Sequence, residues 1–218
     1  MNKRITILDS NGNFVSEFPI NMWPASITFG NDGSLFIVGF PMSYKDNLIQ
    51  HYSLDGKFIN SFCKRGNMSR EVMFSGNAGR LSTDSKGDIF YMEFYPYQIE
   101  EYTPDGKLLN TITDSDNEFI APKFNNGMVD WTSGLRGVMN FNDNRWGVIV
   151  YLNKNTGKWR LDLYDSNKRI EKLNSDKDFP LHFSYRCSAV DSKGNLYFDI
   201  YTQNEPLIVK YKLALSRK

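Results

Sequence analysis

The chain has 218 residues, with 26 Lys and Arg against 25 Asp and Glu, for a formal net charge of +1. That balance excludes a global attraction to nucleic acid or anionic lipid. A content of 40% hydrophobic and 23% charged residues excludes wholesale disorder. Aromatic residues reach 15%, which suits pleated, half-buried strands. No apolar run approaches the roughly 18 residues of a membrane-spanning helix. Met1 to Asp9 carry charge but no apolar leader core, so the sequence as written shows no secretory signal.

In chain order, the first predicted element is a hairpin over 4–19. It reads Ile5-x-x-Leu8-x-x-Asn11-Gly12-x-Phe14-Val15-x-x-Phe18. A strand–turn–strand follows at Phe29-Gly30-Asn31-Asp32-Gly33-Ser34-Leu35-Phe36-Ile37. The hairpin then returns as Ile49-x-x-Tyr52-x-x-Asp55-Gly56-x-Phe58-Ile59-x-x-Phe62. The two elements alternate again at Thr83-Asp84-Ser85-Lys86-Gly87-Asp88-Ile89-Phe90-Tyr91 and at Ile99-x-x-Tyr102-x-x-Asp105-Gly106-x-Leu108-Leu109-x-x-Ile112. A weaker pair lies at Phe141 to Ile149 and at Leu161-x-x-Tyr164-x-x-Asn167-Lys168-x-Ile170, where Lys replaces the turn glycine and implies a different or strained turn. The last pair is Val190-Asp191-Ser192-Lys193-Gly194-Asn195-Leu196-Tyr197-Phe198 and Ile208-x-x-Tyr211.

Asn-Gly and Asp-Gly between apolar runs predict hairpins of the type whose two central residues both need φ > 0. The hairpin copies recur at a mean spacing of about 51 residues, and four strands per repeat of that length is the pattern of propeller blades. The expected fold is therefore an all-β propeller in a single domain over 1–218. It starts with a hairpin (4–19), continues through blades at 23–62, 78–112 and 128–173, and ends with three strands at 185–213. Phe119-Ile120 and Met128-Val129 are candidates for short added strands.

The blade pattern Val-Asp-x-x-Gly-Asn-Leu-Tyr … Ile-x-x-Tyr-x-x-Asp-Gly-Lys-Phe resembles the NHL and TolB-like six-bladed propellers, particularly those of Bacteroides-type envelopes. The resemblance implies a periplasmic or envelope location. About 17 strands are expected, whereas six four-stranded blades need about 24. The sequence thus reads as four to five blades: the loops hide further strands, or the ring has five blades, or the chain is part of a longer one.

In such propellers the loops between second and third strands, and between blades, form the face that meets ligands. Here they carry Tyr44, Tyr95, Tyr97, Trp131, Arg136 and Arg186. Aromatic faces beside arginine suit stacking on a sugar ring or holding a peptide, with the cation reading a carboxylate. The competing reading has these aromatics filling gaps between blades. Asp46, Asp114, Asp116 and Glu205 offer oxygen ligands for Ca²⁺ or Mg²⁺, although Asp114-Ser115-Asp116-Asn117 lacks the glycine and distal Glu of a calcium loop. Similar propellers imply a second set in the central channel: Glu93, Asp130, Asn140 and Asp199.

Two histidines, His51 and His182, cannot form a three-histidine centre, and no Gly-x-Ser-x-Gly elbow occurs. Cys63 and Cys187 make either one disulfide or two thiols, with buried thiols expected. The leading expectation is a non-catalytic binding or scaffold propeller without a cofactor. Its ligand would be a protein, peptide or glycan, with no nucleic acid and no membrane insertion. Exposed blade edges would favour a homo-oligomer. The alternative is a metal-assisted hydrolase or lactonase using the channel set, with Ca²⁺ or Mg²⁺.

Overall fold

The computed structural model describes residues 3–42, 46–64, 79–114, 117–125, 128–141, 144–153, 155–175, 177–179, 188–191, 193–201 and 206–212. Within these residues the fold is all β, with nineteen strands and no helix. A hairpin of β1 (Arg4–Leu8) and β2 (Phe14–Pro19) opens the chain. Next comes a four-stranded meander of β3 (Met22–Phe29), β4 (Leu35–Pro41), β5 (Ile49–Tyr52) and β6 (Phe58–Phe62). A second meander contains β7 (Arg80–Thr83), β8 (Ile89–Met92), β9 (Gln98–Tyr102) and β10 (Leu108–Thr113).

The short hairpin of β11 (Lys123–Asn125) and β12 (Met128–Asp130) precedes the third meander. That sheet is formed by β13 (Gly134–Asn140), β14 (Arg145–Asn153), β15 (Lys158–Asp165) and β16 (Lys168–Asn174). Three strands close the order: β17 (Ser188–Val190), β18 (Asn195–Tyr201) and β19 (Pro206–Lys212). This succession of antiparallel meanders is a β-propeller, with four meander sheets among the described residues. One boundary shifts from the sequence expectation. Residues 128–130 belong to the separate β11–β12 hairpin, and the third meander starts at Gly134. Phe119 and Ile120 form no strand.

By its internal packing the chain divides into two units, Met1–Tyr91 with Glu100–Asn110, and Met92–Ile99 with Thr111–Lys218. The first unit holds two buried clusters. One centres on Met22, Leu35, Ile37 and Tyr52, with Phe18 and Ile20 beside them. The other joins Phe36, Val38, Ile49 and Phe62 to Leu81, Ile89, Tyr91 and Tyr102. In the second unit, Met139, Ile149, Tyr151, Trp159, Leu161 and Leu163 pack with Phe179, Leu196 and Phe198. Cys63 is a buried thiol donating to Glu100 Oε2 at 3.6 Å; Cys187 lies outside the described residues.

The turns depart from the sequence expectation. Only the glycine has positive φ in each, as at Gly12 (84°), Gly56 (86°) and Gly106 (90°); Asn11 and Asp55 do not. Gly12 N–H donates to Asp9 O at 3.0 Å and Asp9 N–H to Asn13 O at 2.9 Å. This is a four-residue turn closed by a left-handed glycine at a bulge. The same two bonds recur at Ser53 to Lys57, Thr103 to Lys107, Gly30 to Ser34, Asp84 to Asp88 and Asp191 to Asn195. The first side chain reinforces several of them: Asp9 Oδ1 accepts from Asn11 and Asn13 N–H, both at 2.8 Å. At the copy lacking glycine, Asp165 pairs directly with Lys168 and Ser166 takes the positive φ, 51°.

The turn glycines also carry packing. A Cβ at Gly56 would lie 2.5 to 2.8 Å from Phe18, and one at Gly106 would lie 2.6 to 2.7 Å from Phe62. Phe18 and Phe62 are the last apolar residues of their own repeats, so each repeat ends on the turn of the next. Gly12 has the same backbone but no neighbour within 4 Å of such a Cβ. Gly12→Ala should therefore cost about 1 kcal/mol, from the left-handed conformation alone. Gly56→Ala adds overpacking against Phe18 and should cost about 2–4 kcal/mol. Urea denaturation of the two variants measures the difference.

Candidate functional site

Two loops of the second unit meet in a partly exposed aromatic ledge. The first, between β8 and β9, carries Phe94, Tyr95, Pro96 and Tyr97; the second, between β10 and β11, carries Glu118, Phe119 and Ile120. Backbone bonds fix both. Phe94 O accepts from Leu135 N–H at 2.8 Å, and Tyr97 O from Asp114 N–H at 3.3 Å. Ile120 N–H donates to Ser133 Oγ at 3.0 Å, and fully buried Ser133 passes its own hydrogen to Leu152 O at 2.9 Å. On this frame the rings of Tyr95 and Phe119 lie parallel, 1° apart in plane with centroids 5.9 Å apart. Pro96 is exposed and Ile120 is 45% exposed beside them.

Beneath the ledge runs a buried polar layer. Tyr97 meets the Phe119 ring edge-on at 5.5 Å and donates its hydroxyl to Asp162 Oδ2 at 2.8 Å. Tyr164 OH lies 2.9 Å from the same hydroxyl. Asp162 and Arg160, both fully buried on β15, form a two-point ion pair: Nε to Oδ1 at 2.7 Å and Nη2 to Oδ2 at 3.0 Å. Arg160 Nη1 continues to Glu118 Oε2 at 2.6 Å, tying the layer to the second loop. Arg169 bonds Asp114 and lies 3.6 Å from Asp162 Oδ2.

Burial, then the charge of Asp162, pushes the Tyr97 hydroxyl well above its usual range. Burial also raises Tyr164. For Arg169 burial opposes the charge, but Asp162 and Asp114 outweigh it and raise its pKa. A charge-assisted, two-point pair of this kind is strong only while every partner is present.

The predicted residues separate into several groups. Tyr95 stands on the ledge. Tyr97, only 2% exposed, instead supports it from inside. Trp131 and Arg136 are brought together against Phe94 of the β8–β9 loop. The Arg136 guanidinium lies 4.7 Å from the ring centroids of both Phe94 and Trp131, and 5.7 Å from Tyr151. A bulge between Leu135 and Gly137 sets Arg136 out of the ladder. Tyr44, Arg186, Asp116 and Glu205 lie outside the described residues, as does the side chain of Asp199. Glu93 sits in the β8–β9 loop, Asp130 ends β12 and Asn140 ends β13.

Sequence reasoning missed Phe119, Ser133, Arg160 and Asp162 as parts of one site. A signal existed in Trp159-Arg160-Leu161-Asp162-Leu163-Tyr164, where charge alternates with apolar residues along a strand buried on both faces. It also missed a cluster in the first unit. Ligand atoms of Asp84, Asp88 and Glu101 all lie within 4.8 Å of one another. Asp84 is committed to its turn, accepting from Lys86 and Asp88 N–H at 2.9 Å. Burial, then Asp88 and Asp84, raises Glu101; burial, then Asp84, raises Asp88.

No family model matches the chain, and no curated protein sequence does. Solved structures do. A protein of unknown function from Bacteroides caccae superposes with a TM-score of 0.57 at 15% identity, over 96% of this chain and 71% of its own. A member of the DUF4221 family from Bacteroides vulgatus gives 0.56 at 9% identity, over 97% and 73%. Virginiamycin B lyase from Staphylococcus aureus gives 0.52 at 14% identity, over 97% of this chain and 64% of the lyase. A catalytically inactive variant of that lyase, with a histidine replaced by alanine, was solved with quinupristin. Likeness at these identities shows the propeller fold alone.

Two outcomes follow. Asp162→Ala leaves a buried guanidinium with half its pairing and should cost about 3–5 kcal/mol, whereas Arg160→Met with Asp162→Leu should regain most of that stability. Chemical denaturation distinguishes the two. Glu101 binds its proton more readily folded than unfolded, so stability should rise as pH falls from neutral toward its raised value. Glu101→Gln should raise the melting temperature at neutral pH and flatten that acid-side gain, read from melts across the pH range.

Proposed function

We propose that this chain is a non-catalytic binding propeller of the NHL- and TolB-like kind, capturing its ligand on the ledge of Tyr95, Pro96, Phe119 and Ile120. The observation that carries this reading is the parallel, partly exposed Tyr95–Phe119 pair, held by bonded loops above a fully paired polar layer. Ring faces presented on a rigid frame lose little conformational freedom on binding. The frame is stiff because its acids and arginines bond one another.

His51, the one histidine among the described residues, is 6% exposed. It stacks on Phe36 at 4.0 Å and pairs its Nε2 with Ser34 Oγ at 2.8 Å. Burial lowers its pKa.

An array of immobilised glycans and peptides, read with the wild-type chain and with Tyr95→Ala plus Phe119→Ala, tests the proposal. Wild type should bind at least one class without changing it chemically, and the double variant should lose that binding by about tenfold or more. Undiminished binding by the double variant would overturn the site. Turnover of the bound molecule would overturn the non-catalytic assignment.

A further inference from the structure

We infer that the ligand of this ledge is a neutral carbohydrate, with the apolar face of one sugar ring against Tyr95 and its hydroxyls directed to Glu118. The inference rests on the binding reading above and names the ligand class. Three features of the ledge select it.

The apolar part is small and aromatic. Tyr95 and Phe119 are parallel to within 1°, and the other apolar groups are the Pro96 ring and Ile120. A partly exposed tyrosine ring complements the C–H face of a sugar ring.

The polar part is an oriented acceptor. Glu118 is 53% exposed at its side chain, and Arg160 Nη1 fixes its Oε2 at 2.6 Å. A carboxylate held in place one residue before Phe119 accepts hydrogen bonds from hydroxyl groups. Charge then argues against an anionic ligand. Arg160 and Arg169 face Asp114, Glu118 and Asp162, two positive groups against three negative, so the layer carries one net negative charge. A uronate or an acidic peptide would meet that charge unfavourably.

Part of the ledge backbone is already bonded. The carbonyls of Phe94 and Tyr97 and the amide of Ile120 are bonded within the protein. An extended peptide gains its affinity from such main-chain groups, whereas a sugar needs only the ring face and the side-chain acceptor.

Calorimetric titration with cello-, xylo-, manno- and malto-oligosaccharides tests the assignment, with an oligogalacturonate and a proline-rich peptide as the competing classes. At least one neutral oligosaccharide should bind. Tyr95→Ala should weaken it by about tenfold or more, and Tyr95→Phe, which keeps the ring, should preserve it within about twofold. Glu118→Gln should weaken it without changing which oligosaccharide is preferred. Peptide binding that is lost in Tyr95→Ala, with no neutral sugar bound, would overturn the carbohydrate assignment while leaving the ledge as the binding site. Tighter binding of the oligogalacturonate would overturn neutrality. Sugar binding unaffected by Tyr95→Ala would overturn both the ledge and its ligand.

Discussion

The contact of a phenylalanine with the turn glycine of the next repeat is the constraint on which the first unit depends. Phe18 lies where a side chain at Gly56 would be, and Phe62 does the same at Gly106. The glycine serves twice: its positive φ closes the turn, and its missing side chain admits the ring. The 49–62 repeat supplies both the glycine that receives Phe18 and the ring that meets Gly106, so these sheets are held by a side chain as well as by the turn.

Much of this was legible in the residues. The repeat placed three of the four meanders within a few residues of their observed bounds, because its apolar and turn positions are local. The turn type was not legible. Asn-Gly and Asp-Gly fit a two-residue loop equally well, and only the bond from the glycine N–H back to Asp9, Ser53 or Thr103 shows the longer turn. Lys168 did signal its own exception, and Ser166 accepts the strained backbone there.

The candidate site was legible only in part. Tyr95 stood out as a loop aromatic, but so did Tyr97 two positions on, and the sequence has no way to separate them. The difference lies in Asp162, sixty-five positions away, which draws the Tyr97 hydroxyl inward. Ser133 and Phe119 have ordinary local contexts, and their roles arise from loops meeting in space. The polar layer matters for the ledge because it is costly to disturb. A buried, bidentate arginine pair tolerates few geometries, and through Glu118 it passes that rigidity to the adjoining loop.

The recurring turns also give the molecule an order of response to acid. Hydrogen bonds, led by those from Asn13, Ser34, Ser53, Thr103 and Asn195, hold the carboxyls of Asp9, Asp32, Asp55, Asp105 and Asp191 below their ordinary range. Asp88 and Glu101 are displaced the other way. Falling pH therefore neutralises the crowded acids of the first unit first, relieving their mutual repulsion. Only at much lower pH do the turn aspartates take up protons and release their backbone donors. A medium that turns sour would meet a tighter molecule before a looser one.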